Sequence, residues 1–97
     1  MLDPHGLGPL SPTRARQLVL RVLESGHLRF SAHATQEMAN DDLSTADCVN
    51  VLRGGVFEPP ELERGTWRYR VSTRRMCFVI SMASEDEVRV VTAWRKR

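Results

Sequence analysis

An α+β fold is predicted by three features of this 97-residue sequence. Apolar residues recur at helical spacing as far as Gly54 and Gly55, whereas beyond Thr66 they alternate with polar ones, the period of a half-buried strand. The strand-like segments follow one another across short polar turns, which favours antiparallel pairing. Helices precede strands with no βαβ rhythm, so the expected architecture is N-terminal helices packed on one face of a C-terminal antiparallel β-meander.

Residues 1–11 are rich in Gly and Pro without periodicity and read as a flexible arm, leaving residues 12–97 as a single domain. Ser11 followed by Pro12 starts the first helix, in which Ala15, Leu18, Val19, Val22 and Leu23 form the apolar stripe and Gly26 supplies the stop. "HLRFS" reads as a short strand or an extended connector. Ser31 caps a second helix, "AHATQEMAN", and Ser44 with Asp47 gives capping-box spacing to a third, which ends at Gly54. "GVFEPPELERG" is a connector: the Pro59-Pro60 pair excludes a central strand there, though a short edge strand can flank it. "TWRYRV", "RMCFVISMA" and "EVRVVTAWR" are the strands.

Composition narrows the function classes. Hydrophobic residues at 41% and charged residues at 27% describe a soluble globular chain rather than a disordered or membrane-embedded one. No apolar run approaches the roughly 20 residues of a membrane span, and the N-terminus lacks a leader pattern, so the cytoplasm is the default compartment. Cys48 in a helix and Cys77 in a strand are expected to pack as small hydrophobes, a disulfide being unusual in that compartment. No CxxC, CxxH or HExxH spacing occurs, and neither a metal nor another cofactor is expected.

The net charge of +2 hides a separation: residues 1–30 carry +2, residues 31–63 carry −6 and residues 64–97 carry +6. Such asymmetry suggests an anionic partner for the basic segment, nucleic acid being the commonest. Thirteen of the fourteen basic residues are Arg, which suits bidentate phosphate contact and base stacking, although a GC-rich genome gives the same bias.

"WRYRVSTRR", Trp67 to Arg75, concentrates that charge. With Trp67, Tyr69 and Val71 toward the helices, Arg68 and Arg70 point to the open face. In the last strand Val88, Val90, Thr92 and Trp94 form one row and Arg89, Val91, Ala93 and Arg95 the other. The Arg-bearing row is the better fit to the open face, which would place Arg68, Arg70, Arg89 and Arg95 on one surface. No acid intervenes from Thr66 to Ala83, unlike a mixed-charge solvated face, so Arg68, Arg70 and Arg75 read as a group that contacts phosphate or RNA. Lys96 and Arg97 either extend it or keep the chain end solvated. Tyr69 and Trp94 are candidates to stack on unpaired bases, with burial in the core the weightier reading. His33 falls in the first turn of the second helix, where the dipole disfavours its cation and favours a neutral imidazole able to take a proton. The competing reading is a His33 that ties the helix start to the sheet.

The order helix, "RFSAHATQEMANDDLSTADCVNVLRGG", strands and a "VVTAWRKR" ending resembles the RelE-like ribonuclease toxin superfamily. The likeness is strongest to the MqsR-like mRNA interferases and to a related small bacterial family with an "F-S-x-H-A" start to its second helix. The resemblance implies the toxin of a type II toxin–antitoxin pair, an endoribonuclease that cleaves mRNA, free or on the ribosome, without metal. The ribose 2′-hydroxyl attacks the adjacent phosphate, leaving a cyclic phosphate and a free 5′-hydroxyl. On that reading His33, Arg68, Arg70 and Arg95 serve catalysis, Arg74, Arg75, Tyr69 and Lys96 hold RNA, and a cognate antitoxin covers the basic face. Arg68 falls where the MqsR-like proteins have a functional Gln, and Arg95 where they use a Lys for phosphate. Glu61 stands near a position that is Lys in that family, and Met76 to Phe78 offer no counterpart to its middle-strand Tyr. These departures keep a second reading open, a non-catalytic RNA- or protein-binding module on the same fold.

Overall fold

Three serines turn extended chain into helix in the computed structural model, which describes residues 8–97. Ser11 Oγ accepts from Arg14 N at the start of α1 (Pro12–Ser25) and Ser31 Oγ from Ala34 N at the start of α2 (Ala32–Asn40). Ser44 and Asp47 close a full capping box on α3 (Thr45–Gly54). Each bond satisfies an amide that the first helical turn leaves without a partner. Gly26 ends α1 where the backbone passes the carbonyl of Asp86; a Cβ there would lie 2.5 Å from that oxygen. His27 N donates to the same carbonyl at 2.8 Å, which starts β1 (His27–Phe30).

The remaining strands are β2 (Val56–Phe57), β3 (Glu61–Glu63), β4 (Thr66–Ser72), β5 (Met76–Ser84) and β6 (Glu87–Arg95). They form one mostly antiparallel sheet in the order β1-β6-β5-β4-β2, with β3 pairing the other half of β4. The expected meander is β4-β5-β6. One strand departs from it: β1 pairs with β6 in parallel. Its four residues are too few to reveal a partner from sequence, and the pairing is fixed at both ends by backbone bonds, His27 N to Asp86 and Ser31 N to Val90 O. On the far edge, Pro59 and Pro60 cannot donate to a ladder and split the edge into β2 and β3. β3 turns into β4 through Arg64 and Gly65, both at positive φ (52° and 78°), as two-residue hairpin turns require.

All three helices cover one face. The core joins Ala15, Val19 and Val22 of α1, Ala34 and Met38 of α2, and Cys48, Val51 and Leu52 of α3. Against these pack Tyr69, Val71, Phe78, Ile80, Met82, Val88, Val90 and Ala93 of the sheet. Each large side chain in that set stabilises the fold by about 1.5–3 kcal/mol relative to exposure. Both cysteines are free and buried, and burial pushes the Cys48 thiol pKa up to about 12. Among the described residues no helix is long and apolar enough to cross a membrane.

Residues 1–7 of the expected arm lie outside the described residues. Residues 8–11 lie against the sheet: Leu10 N donates to the hydroxyl of Tyr69 at 2.8 Å, and Gly8 packs on Trp67.

Candidate nucleic-acid interface

The sheet face opposite the helices is built from the alternate residues of each strand. On β4 these are Arg68, Arg70 and Ser72, since Tyr69 and Val71 are wholly buried in the core. Arg70 pairs with Val79 and Ser72 with Cys77 on β5, and these in turn pair with Thr92 and Trp94 on β6. The open face therefore carries Arg70, Val79 and Thr92 in one cross-strand row and Ser72, Cys77 and Trp94 in the next.

A bulge decides what β6 shows. Val79 pairs with Thr92 and Ile80 with Val90, so Val91 is unmatched and the alternation shifts by one residue. Val88, Val90 and Ala93 face the core, while Arg89, Thr92 and Trp94 face the open side. The expected common surface of Arg68, Arg70, Arg89 and Arg95 thus loses Arg95. Its side chain reaches the α2–α3 turn instead, where Nε donates to Asp41 O at 3.2 Å and Nη2 to Asp42 O at 3.0 Å. Its backbone N–H donates to Asp41 Oδ2 at 2.7 Å. Arg95 caps the end of α2, as Arg16 caps α3 through Arg53 O and Gly55 O.

One end of the open face gathers the cations. Thr73 shapes the β4–β5 turn: its N–H donates to Met76 O at 2.9 Å, and its Oγ1 accepts from Arg75 N and Met76 N, both at 3.2 Å. Arg74 and Arg75 are thereby held at the exposed tip. Lys96 N donates to Arg75 O at 2.7 Å, so the chain end joins that tip. Arg70 Cζ stands 5.9 Å from the centroid of the half-buried Trp94 ring, within cation–π range. Cys77 lies beneath, 2% exposed. Burial pushes its thiol pKa up, Arg70 and Lys96 pull it down, and Glu58 pushes it up again. Both cations are therefore within electrostatic reach of one point on the sheet.

Arg68 sits one strand pair further along. Its side chain is only 20% exposed, and Nη1 lies 3.7 Å from Glu63 Oε1. Glu61 pairs with it across β3, which puts two acids on the flank of an arginine that the sequence presented as unopposed.

Besides Arg95, two expected residues are not part of this surface. Tyr69 is fully buried with its hydroxyl engaged by Leu10, so it does not stack on bases; its pKa is raised by burial, partly offset by that hydrogen bond. His33 is exposed on α2, in the helical layer. The residue that ties the helix start to the sheet is Ser31, which donates from Oγ to Val91 O at 3.0 Å. A recess of about 350 Å³ between α1 and the β5–β6 turn, lined by Leu10, Arg14, Gln17, Leu18, Arg21 and Glu85, holds none of the expected site residues. Among the described residues no group of three or more His, Cys, Asp or Glu side chains is placed to hold a metal ion.

The surface combines guanidinium and ammonium groups with one accessible indole. That set holds phosphate oxygens by charge-assisted hydrogen bonds and offers a π-face to an unpaired base. Its Arg74, Arg75 and Lys96 were legible as charge; Trp94 as its aromatic depended on the bulge, for which β6 carries no Gly or other marker. No curated protein and no solved structure gives a significant match to the chain. Residues 30–95 match the family described as Domain of unknown function (DUF4258), and the chain, more than half of which is covered, including every residue of this surface but Lys96, belongs to that family.

Proposed function

We propose that the chain binds single-stranded RNA through the open-face patch of Arg70, Arg74, Arg75 and Lys96 around Trp94. The observation that carries this reading is the junction of the β4–β5 tip and the chain end, sealed by the Lys96–Arg75 backbone bond beside the Arg70–Trp94 pair. Cations there contact the RNA backbone, and Trp94 takes a base. With the sequence resemblance, the proposal extends to a cytoplasmic toxin of a toxin–antitoxin pair, with mRNA as target and a partner protein that covers the basic face.

Cleavage by the ribose 2′-hydroxyl is the stronger form of the proposal. The arginines would stabilise the phosphorane charge, and a proton acceptor must stand within hydrogen-bond reach of the hydroxyl. His33 belongs to the other layer and Tyr69 to the core. Glu58, whose N–H pairs with Arg70 O, is the carboxylate adjoining the patch. That separation favours the second reading, binding without cleavage.

Both forms are tested together. The purified chain is titrated with labelled single-stranded RNA at several salt concentrations, and the RNA is then analysed for 2′,3′-cyclic phosphate and 5′-hydroxyl ends. Affinity that falls steeply with salt and is weakened by Arg70→Ala with Arg75→Ala supports binding. New ends that depend on Glu58 support cleavage. Absence of salt-dependent binding removes the proposal.

A further inference from the structure

Away from the cationic end, the same face holds a second feature. The β4–β5 ladder ends at Tyr69–Ile80, and the next residue outward on each strand, Arg68 and Ser81, points to the open face. Ser81 is a buried polar side chain, 5% exposed, and its partner on β6 is the exposed Arg89. The Nε of Arg68 is shielded from solvent and, among the described residues, has no hydrogen-bond partner. Glu63 meets Arg68 only through Nη1 at 3.7 Å, longer than the 2.7–2.9 Å of a charge-assisted bond. A guanidinium has five N–H donors in a fixed fork, so one loose carboxylate leaves most of that capacity unused. Arg29, across from Arg89, is already engaged by Glu87 at 3.1 Å.

We propose that Arg68, Ser81 and Arg89 form a tetrahedral-oxyanion site, which Glu63 partly fills in the unliganded protein and an RNA backbone phosphate takes over on binding. The donors are the shielded Nε–H of Arg68, a serine hydroxyl and the exposed guanidinium of Arg89, a set that suits several oxygens of one anion. A carboxylate on the adjacent strand is present at high effective concentration and still leaves Nε unmet, which argues for a ligand with more acceptor directions. The strand that carries Glu63 is held to the sheet by β4 alone and its three residues are all exposed, so it can withdraw with little loss of buried area. The site rests on the RNA-binding reading for the identity of its ligand and on its own geometry for its existence.

The test follows the Arg68 Nε–Hε resonance of the full chain by NMR, first with inorganic phosphate and then with single-stranded RNA, at constant ionic strength. Phosphate is expected to shift that resonance saturably, and Ser81→Ala to weaken the effect. Glu63→Gln is expected to tighten phosphate binding about two- to fivefold, the range set by the loss of one exposed ion pair. An Arg68 signal unmoved by phosphate in both the wild type and Glu63→Gln overturns the site, whatever RNA does. A signal moved by phosphate and untouched by RNA that still shifts Arg70 overturns the assignment of the ligand as an RNA phosphate, while RNA that moves neither arginine removes the RNA-binding reading and leaves the oxyanion site standing.

Discussion

Arg95 and Arg70 belong to the same sheet and the same residue type, and they do different work. Arg95 spends its donors on the carbonyls of Asp41 and Asp42 at the end of α2. Arg70 is exposed, with its guanidinium over the Trp94 ring. The first closes a helix against the sheet, and the second leaves its hydrogen-bonding edge to the solvent. Strand register, rather than charge, assigns an arginine to fold or to function: each side chain acts on whichever face the alternation gives it.

The largest expected effect separates the two. Arg95→Ala removes two hydrogen bonds from a charged donor and should cost about 2 kcal/mol, seen as a fall in Tm of roughly 10 °C. RNA affinity per folded molecule should be unchanged; a loss of RNA binding at full stability would reverse the assignment. Tyr69→Phe comes next. It leaves the Leu10 amide without its partner and should cost about 1–2 kcal/mol, with faster hydrogen exchange at Leu10; an unaffected amide would show that the N-terminal segment is held by Trp67 alone.

Ser44→Ala probes the helical layer without touching the open face. Loss of the capping hydroxyl should cost about 1 kcal/mol in urea unfolding and leave RNA titrations unchanged. Arg70→Ala is the converse: stability should change by less than about 0.5 kcal/mol. The slope of log affinity against log salt should fall by about 0.7 for each single-strand phosphate contact removed. The smallest effect is in acid. The Ser44 backbone N–H, then its hydroxyl, hold the Asp47 carboxyl below its ordinary 3.8. A carboxyl depressed in the folded state adds stability that is present above its unfolded value and lost as pH falls through its folded one. Unfolding at about pH 5 and about pH 3 should therefore show a shallower acid loss in Asp47→Asn than in the wild type; equal losses would mean that the box contributes no pH dependence.

Much of the fold was legible because it is local. Serine caps, the Ser44–Asp47 box and the change of hydrophobic period each act within a few residues, and the structure places α1, α2, α3 and β4 to β6 close to where these signals fall. Non-local features were not. The parallel partner of β1 is set by backbone bonds to Asp86 and Val90, some sixty residues away in sequence. The Arg64–Gly65 hairpin that folds Glu61 and Glu63 beside Arg68 has a turn glycine but sits in a stretch dominated by its two prolines. At the candidate surface, the charge of Arg70, Arg74, Arg75 and Lys96 could be read directly, while the loss of Arg95 to the helical layer and the gain of Trp94 turn on Val91, a residue as ordinary in a strand as its neighbours.

That valine gives the last strand a parity. Counted from Val90, an even step no longer means the same side once Val91 is passed, and all that follows is displaced by one place. Deleting Val91 would take out the extra residue and leave Thr92 and Trp94 on the open face with Ala93 toward the core; drawing Val91 into a regular ladder would instead carry Thr92 and Trp94 inward and turn Ala93 and Arg95 outward. Ser31, which starts α2 and holds the carbonyl of Val91 at 3.0 Å, is then the residue through which the helical layer keeps the count.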